Sequence, residues 1–367
     1  MSDPLPTRLH PPKTKPITSA VFIPDAWYIA CTSAELGYKP VARTLLGRPL
    51  ALYRDGQGKP AALLDRCPHR NVPLSGGAVV SGHLECPYHG WQFDCSGTCK
   101  RIPGLIGDPA GKARRAEAHV CMEQDGFIWL WGRADTEPPA HSAPPRFPHL
   151  DDPKYAVVRD QFQAQGSLHA VAENALDVPH TAFLHGGLFR NDGERRTIDV
   201  VVKRWPHAVE AQYIGEARPE GLVGRILAPK GGEVTHYDRF FLPNRTQVEY
   251  RLSERSHIVV TSVLTPVRDF ETRLYAVITF KLPLPTWLVK LVAKPIGRRI
   301  FAQDERILAQ QTQLIERFGG ERFASTELDV LGQHIRSLLR AAERGDPHTT
   351  QGPTDEPSET QRIQMQV

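Results

Sequence analysis

Cys67-Pro68-His69-Arg70 and Cys86-Pro87-Tyr88-His89-Gly90-Trp91 set two short Cys/His pairs on either side of a sixteen-residue gap, 70 to 85. Side chains of these types at such spacings are metal ligands, and two separate loops must carry them to one point. Each loop then needs a strand leading in and a strand leading out. Leu63-Leu64-Asp65-Arg66 before the first pair and Gly90-Trp91-Gln92-Phe93-Asp94 after the second read as such strands, and Cys95, Ser96, Gly97 and Thr98 supply the next turn.

A structural zinc ion also takes two cysteines and two histidines, but zinc fingers run both cysteines first and both histidines second. Here each pair mixes the two types, with the tight Cys-x-His first. That order fits the ligands of a Rieske [2Fe–2S] cluster, with two thiolates on one iron and two imidazoles on the other. Cys67, His69, Cys86 and His89 are therefore assigned to the cluster. Neutral imidazoles make such a cluster less negative and easier to reduce, which suits it to passing single electrons.

A chain of 367 residues is long for one domain, and two are expected. The formal net charge of +4 is small for this length, and no basic cluster interleaved with aromatics is visible, so nucleic acid is not an expected partner. The polar, proline-rich start has no apolar secretion signal. Of six cysteines, Cys31, Cys95, Cys99 and Cys121 read as free thiols of a reducing, cytoplasmic compartment. The most apolar stretch, Leu282 to Ile296, contains Lys290, Lys294, Pro283, Pro285 and Pro295 and cannot span a bilayer. It reads as a helix packed on the protein's own core, with a basic segment lying on a membrane surface as the alternative.

Residues 1–24 read as a flexible arm. Residues 25–135 carry short β-branched and aromatic runs broken by Gly and Pro, the mark of a small all-β domain. A proline-rich crossing, Thr136 to Pro148, opens the second domain, 136–345. There a helix-compatible segment, Ser167 to Leu184, precedes strand-like runs at Thr197–Val202, Gln247–Leu252, His257–Leu264 and Leu274–Leu282. Long helices follow from about Thr286 to Arg344, and 346–367 reads as a disordered tail. Strands followed by helices make an α+β chain, with helices laid over an antiparallel sheet.

A second metal site is suggested by His180 and His185. Five residues turn a regular helix by roughly 140°, so both rings reach one ion only if the helix ends or distorts there, and Pro179 makes that plausible. Two histidines and one carboxylate on a single face leave iron(II) with open positions. Asp304 is the candidate carboxylate, because it falls within an apolar stripe of Ile300, Phe301, Ile307 and Leu308, whereas Glu305 points about 100° away. A buried ion pair between Asp304 and an arginine is the alternative.

On these residues the chain resembles the oxygenase component of the Rieske non-haem iron oxygenases from about Trp27 to Arg340. The cluster set and Asn174-x2-Asp177-x2-His180-x4-His185 carry the resemblance most strongly, and Thr326-Glu327-Leu328-Asp329-Val330 resembles a segment near the family's C-terminus. The Cys-Pro-His-Arg pair resembles vanillate- and dicamba-type demethylases and chlorophyllide- or pheophorbide-type oxygenases. The resemblance implies a helix-grip catalytic domain, a mononuclear iron(II) held by His180, His185 and Asp304, and a ring-shaped homotrimer. It also implies that Asp177 links a cluster histidine of one subunit to an iron-ligating histidine of its neighbour, and that Asn174 is a polar residue near the iron. An external ferredoxin or reductase supplies electrons in this reading, and the reaction with O2 is hydroxylation or oxidative demethylation of a hydrophobic aromatic or polycyclic compound. Aromatic-ring cis-dihydroxylation and a plain Rieske electron carrier are the alternatives. The substrate is expected between sheet and C-terminal helices, against Phe240, Phe241, Val260 and Val263.

Overall fold

A computed structural model describes residues 22–185, 197–216, 234–346 and 356–366. Most of the arm expected at 1–24 lies outside them. The chain divides into two compact units: the first takes in Phe22–Arg146 and Thr265–Arg268, the second Phe147–Leu264 and the chain from Asp269, so the main boundary falls inside the proline-rich crossing.

The first unit is built from short strands. β1 (Trp27–Thr32), β2 (Val41–Leu45), β3 (Arg48–Arg54) and β4 (Pro60–Leu64) open it, and β5 (Ala78–Val80), β6 (His83–Glu85), β7 (Gln92–Phe93) and β8 (Cys99–Arg101) follow. β9 (Ala118–His119), β10 (Cys121–Gln124) and β11 (Phe127–Trp131) complete it. They form three sheets, in the orders β1-β11-β10, β2-β3-β4-β9 and β5-β6-β7-β8. All five residues of β11 are buried, which explains why Phe127 to Trp131 is apolar throughout and does not alternate. Tyr53, Leu63, Leu74, Leu84 and Phe93 share one core with Cys67 and Cys86. Fully burying an aliphatic or aromatic side chain of this size contributes about 1.5–3 kcal/mol, so the ligand loops are rooted in packed structure.

The second unit is α+β. Its antiparallel sheet contains β12 (Ala156–Ala164), β13 (Thr197–Trp205), β14 (Ala208–Ile214), β15 (Thr235–Phe241), β16 (Arg245–Ser253), β17 (Ser256–Arg268), β18 (Glu271–Lys281) and β19 (Glu359–Gln366). The order is β12-β18-β17-β16-β15-β14-β13-β19. The helices are α1 (Leu168–Leu176), α2 (His180–Leu184), α3 (Thr286–Arg317) and α4 (Gly332–Glu343). This is the helix-grip arrangement expected for the second domain, an antiparallel sheet with helices packed on it.

Two expectations need correction. Residues 359–366, placed in a disordered tail, pair with β13 from Thr197↔Gln366 to Arg204↔Glu359 and bury Met365. The segment reads as polar because it is an outer strand with mostly exposed side chains, and ladder hydrogen bonds rather than apolar burial hold it. The start of α3 was read as packed on the core. Val289 is buried, yet Trp287 and Leu291 are each 67% exposed, with Val292 at 48% and Ile296 at 43%.

α3 packs on β12, where Phe162 and Phe301 stack at 4.0 Å and the Thr312 hydroxyl donates to the Gln165 carbonyl at 2.9 Å. Leu308, Thr312 and Ile315 continue its buried side toward the C-terminus, and this face carries Asp304.

Candidate metal centres and the adjoining cavity

The two cluster loops have the same backbone design. Cys67 donates its N–H to the Val72 carbonyl at 2.9 Å and accepts from the Asn71 N–H at 2.8 Å. Cys86 repeats this with the Trp91 carbonyl at 2.8 Å and the Gly90 N–H at 3.1 Å. The fourth residue after each cysteine must be left-handed to close the loop, and Asn71 and Gly90 have φ of 61° and 66°. Cys67 and Cys86 are buried, whereas His69 is half-buried and His89 exposed. The two imidazoles lie 4.5 Å apart, and Trp91 stacks on His69 at 4.7 Å. Burial, and then the neighbouring Cys86 thiol, push Cys67 up to about 11.

The second set forms where a helix is interrupted. α1 begins at Ser167, whose hydroxyl accepts the Ala170 N–H at 3.2 Å, and stops at Leu176 because Val178 precedes a proline and is steered away from helix. His180 then opens α2, and His185 follows its last residue with φ −108°. α2 ends at Leu184, so His185 leaves the 140° divergence that a regular helix would set, and the two Nε2 atoms come within 3.3 Å. Asp304 Oδ1 lies 3.6 Å from His180 Nε2 and 3.2 Å from His185 Nε2.

Partners orient each of these groups. The Asn174 amide donates to Asp304 Oδ1 at 3.4 Å, and His185 Nδ1 lies 2.8 Å from Gln303 Oε1. Asp177 Oδ2 accepts the His180 backbone N–H at 3.2 Å and lies 3.3 Å from His180 Nδ1, misaligned for a hydrogen bond. Burial opposes a charge on His180, but the Asp177 and Asp304 carboxylates outweigh it and push the imidazole up to about 9. Gln303 was not anticipated, since a neutral amide beside the candidate carboxylate has no sequence signature.

A cavity of about 560 Å³ adjoins His180. Leu176, Val178, Phe183, Ile307 and Leu308 supply apolar wall, and Glu173, Asn174, Asp177 and Asp329 supply polar wall. Of the strand residues expected to face the substrate, none lines it: Phe240 and Val263 are fully buried, and Phe241 lies under the Arg245 guanidinium at 4.2 Å. Tyr213 from β14 lines it instead. Ile307 was read as part of the buried stripe but is 42% exposed and belongs to the cavity wall. Glu173 is pushed up to about 7 by burial and by the carboxylates of Asp329, Asp177 and Glu321.

Residues 26–107 match the Rieske [2Fe-2S] domain, and residues 164–345 match the vanillate O-demethylase oxygenase C-terminal domain. The chain belongs to the Rieske non-haem iron oxygenases. Within that family it is 39% identical over 186 residues to the oxygenase component of dicamba O-demethylase from Stenotrophomonas maltophilia, covering 49% of this chain and 53% of the relative. It is 34% identical over 171 residues to the vanillate O-demethylase oxygenase subunit of Pseudomonas sp. (strain HR199 / DSM 7063), covering 45% of this chain and 46% of the relative. The chain thus spans about half the length of these curated relatives. Dicamba monooxygenase bound to 3,6-dichlorosalicylic acid superposes with a TM-score of 0.75 at 25% identity, over 89% of this chain and 99% of that one.

The family's cofactors are a Rieske [2Fe–2S] cluster and a mononuclear non-haem iron, and the residues present fit both. Donor atoms about 2.1 Å from one ion stand about 3.0 Å apart at a right angle and about 3.4 Å apart at a tetrahedral one, which brackets or approaches the separations in the His180, His185 and Asp304 set. Those ligand atoms all lie within 4.8 Å of one another. In the Rieske domain, His69 Nδ1 is buried with no hydrogen-bond partner, as suits a nitrogen reserved for a metal.

Proposed function

We propose that this chain is the oxygenase component of a multicomponent monooxygenase that oxidatively demethylates or hydroxylates a hydrophobic aromatic or polycyclic substrate. The observation that carries this reading is the convergence of His180, His185 and Asp304 beside a largely apolar cavity, in a chain that also has a Rieske domain. An electron carrier needs no such triad. When bound, the two metal centres supply one-electron transfer and oxygen activation. Demethylation of an aryl methyl ether consumes one O2, two electrons and two protons, and yields a phenol, formaldehyde and water. An external ferredoxin or reductase supplies the electrons.

In this reading Cys67, His69, Cys86 and His89 hold the cluster, and His180, His185 and Asp304 hold the iron. Gln303 and Asn174 fix ligand orientation through their hydrogen bonds to His185 and Asp304. Asp177 positions His180 and, in a ring-shaped homotrimer, meets a cluster histidine of the neighbouring subunit. The exposure of His89 and the place of Asp177 on the cavity wall support that arrangement. The apolar wall favours neutral rings over small acids. A cytoplasmic location fits a cysteine set that needs no disulfides.

The test is oxygen uptake by the purified protein with a surrogate reductase and a panel of substrates. Methoxylated or polycyclic aromatics are expected to stimulate uptake, with formaldehyde or one hydroxyl group formed per O2. Both atoms of 18O2 recovered in a cis-diol would establish ring dihydroxylation instead. Absence of substrate-stimulated uptake in protein loaded with both metals would reject the oxygenase reading.

A further inference from the structure

We propose that the N-terminal half of α3 docks on an anionic lipid surface, lying in the plane of the interface. The inference concerns outward side chains in the first turns of α3, ahead of Asp304 on the same helix, and does not depend on the proposed reaction. Val289 is buried against the unit, while Trp287, Leu291, Val292 and Ile296 turn outward with exposures between 43% and 67%. Four large apolar side chains on one short stretch form a patch, which a protein surface in water rarely carries without a partner.

Charge on this stretch points to the partner. Between Glu271 and Asp304 the sequence has no acidic residue, but it has Lys290, Lys294 and Arg299 on the exposed part of α3. Arg298 is held by Asp160 at 2.7 Å and is left out of the count. Taking Trp287 as 0° and 100° per residue, Leu291, Val292 and Ile296 fall at about 40°, 140° and 180°, with Lys290 and Lys294 at about −60° and −20°. Arg299 falls within the apolar sector at about 120°. An apolar sector with two lysines along one edge, Arg299 within it and an indole near its start matches a bilayer interface, where apolar side chains enter the acyl boundary and cations remain among anionic headgroups. In a two-fold contact, a second copy apposing this same face would bring like charges together. No helix among the described residues is long and apolar enough to cross a membrane, so the segment lies on the surface.

The experiment uses the full-length protein with its cluster, sedimented with phosphatidylcholine vesicles with and without phosphatidylglycerol. The wild type is expected to bind the anionic vesicles, and to release them at high salt. Trp287→Ser/Leu291→Ser and Lys290→Glu/Lys294→Glu are each expected to weaken that binding at least about tenfold. Both variants should keep the cluster's visible absorption, which shows that they are folded. Failure of the wild type to bind anionic vesicles overturns the proposal, as does equal binding by either folded variant. Light scattering is run on the same samples. A self-association lost in the variants, without vesicle binding by the wild type, assigns the patch to a second copy and also overturns it.

Discussion

Asp304 carries the greatest consequence of any single side chain here, because it is the anionic member of the triad and lies close to both ring nitrogens. Asp304→Ala is expected to leave the visible spectrum of the Rieske cluster intact and to lose mononuclear iron, with substrate oxidation falling at least about a hundredfold. Metal analysis with EPR of the reduced protein checks this, and full mononuclear iron in the variant would remove Asp304 from the ligand set. Glu173 offers a different measurement. Its carboxyl is raised from 4.5 to about 7, so the native state binds more protons than the unfolded chain between those values. Stability should therefore fall as pH rises through that window and level off above it. Glu173→Gln should flatten the profile and add on the order of 2 kcal/mol at pH 8, measured by denaturant unfolding at several pH values. The ligand candidates were legible because histidine pairs and an acid in an apolar stripe are unusual combinations. Gln303 and the raised carboxyl of Glu173 were not, since each depends on neighbours distant in sequence.

Elements explain why the candidate ligands converge, and the part of this legible in sequence is where a local rule sets the backbone. The interruption expected at Pro179 falls between α1 and α2, ahead of both histidines, whereas the end of α2 at Leu184 is what lets His185 reach His180. Strand periodicity did less. It shows which residues share a face but not which face meets the cavity, so Phe240 and Val263 were assigned to the substrate when they belong to the interior. β19 was missed because the pairing that orders it lies more than a hundred residues away in β13. The cluster loops allow an element-scale test. Gly90 is left-handed, and an added Cβ would stand 3.1 Å from Pro103 Cγ. Gly90→Ala should cost about 1–2 kcal/mol for the backbone alone, with the contact adding to it. Thermal loss of the cluster's absorption should shift to lower temperature, and an unchanged transition would mean that the second loop closes without a left-handed residue.

At the scale of the whole molecule, the proposed trimer makes electron transfer a property of pairs of subunits. Each chain holds one candidate set for the cluster and one for the iron, and the bridging role given to Asp177 has meaning only if the neighbour's cluster faces it. Cys67→Ser removes one centre and Asp304→Ala the other, so each variant alone should be inactive. In trimers assembled at random from equal amounts of both, a productive junction needs an Asp304→Ala subunit giving electrons to a Cys67→Ser subunit, which happens at about one junction in four. Co-expression should therefore restore about one quarter of wild-type oxygen uptake per junction, a recovery that transfer within a single subunit cannot produce. Sedimentation first fixes the number of subunits. If the mixed assembly is a trimer and stays as inactive as either parent, electrons pass within one chain, and Asp177 serves only to orient His180.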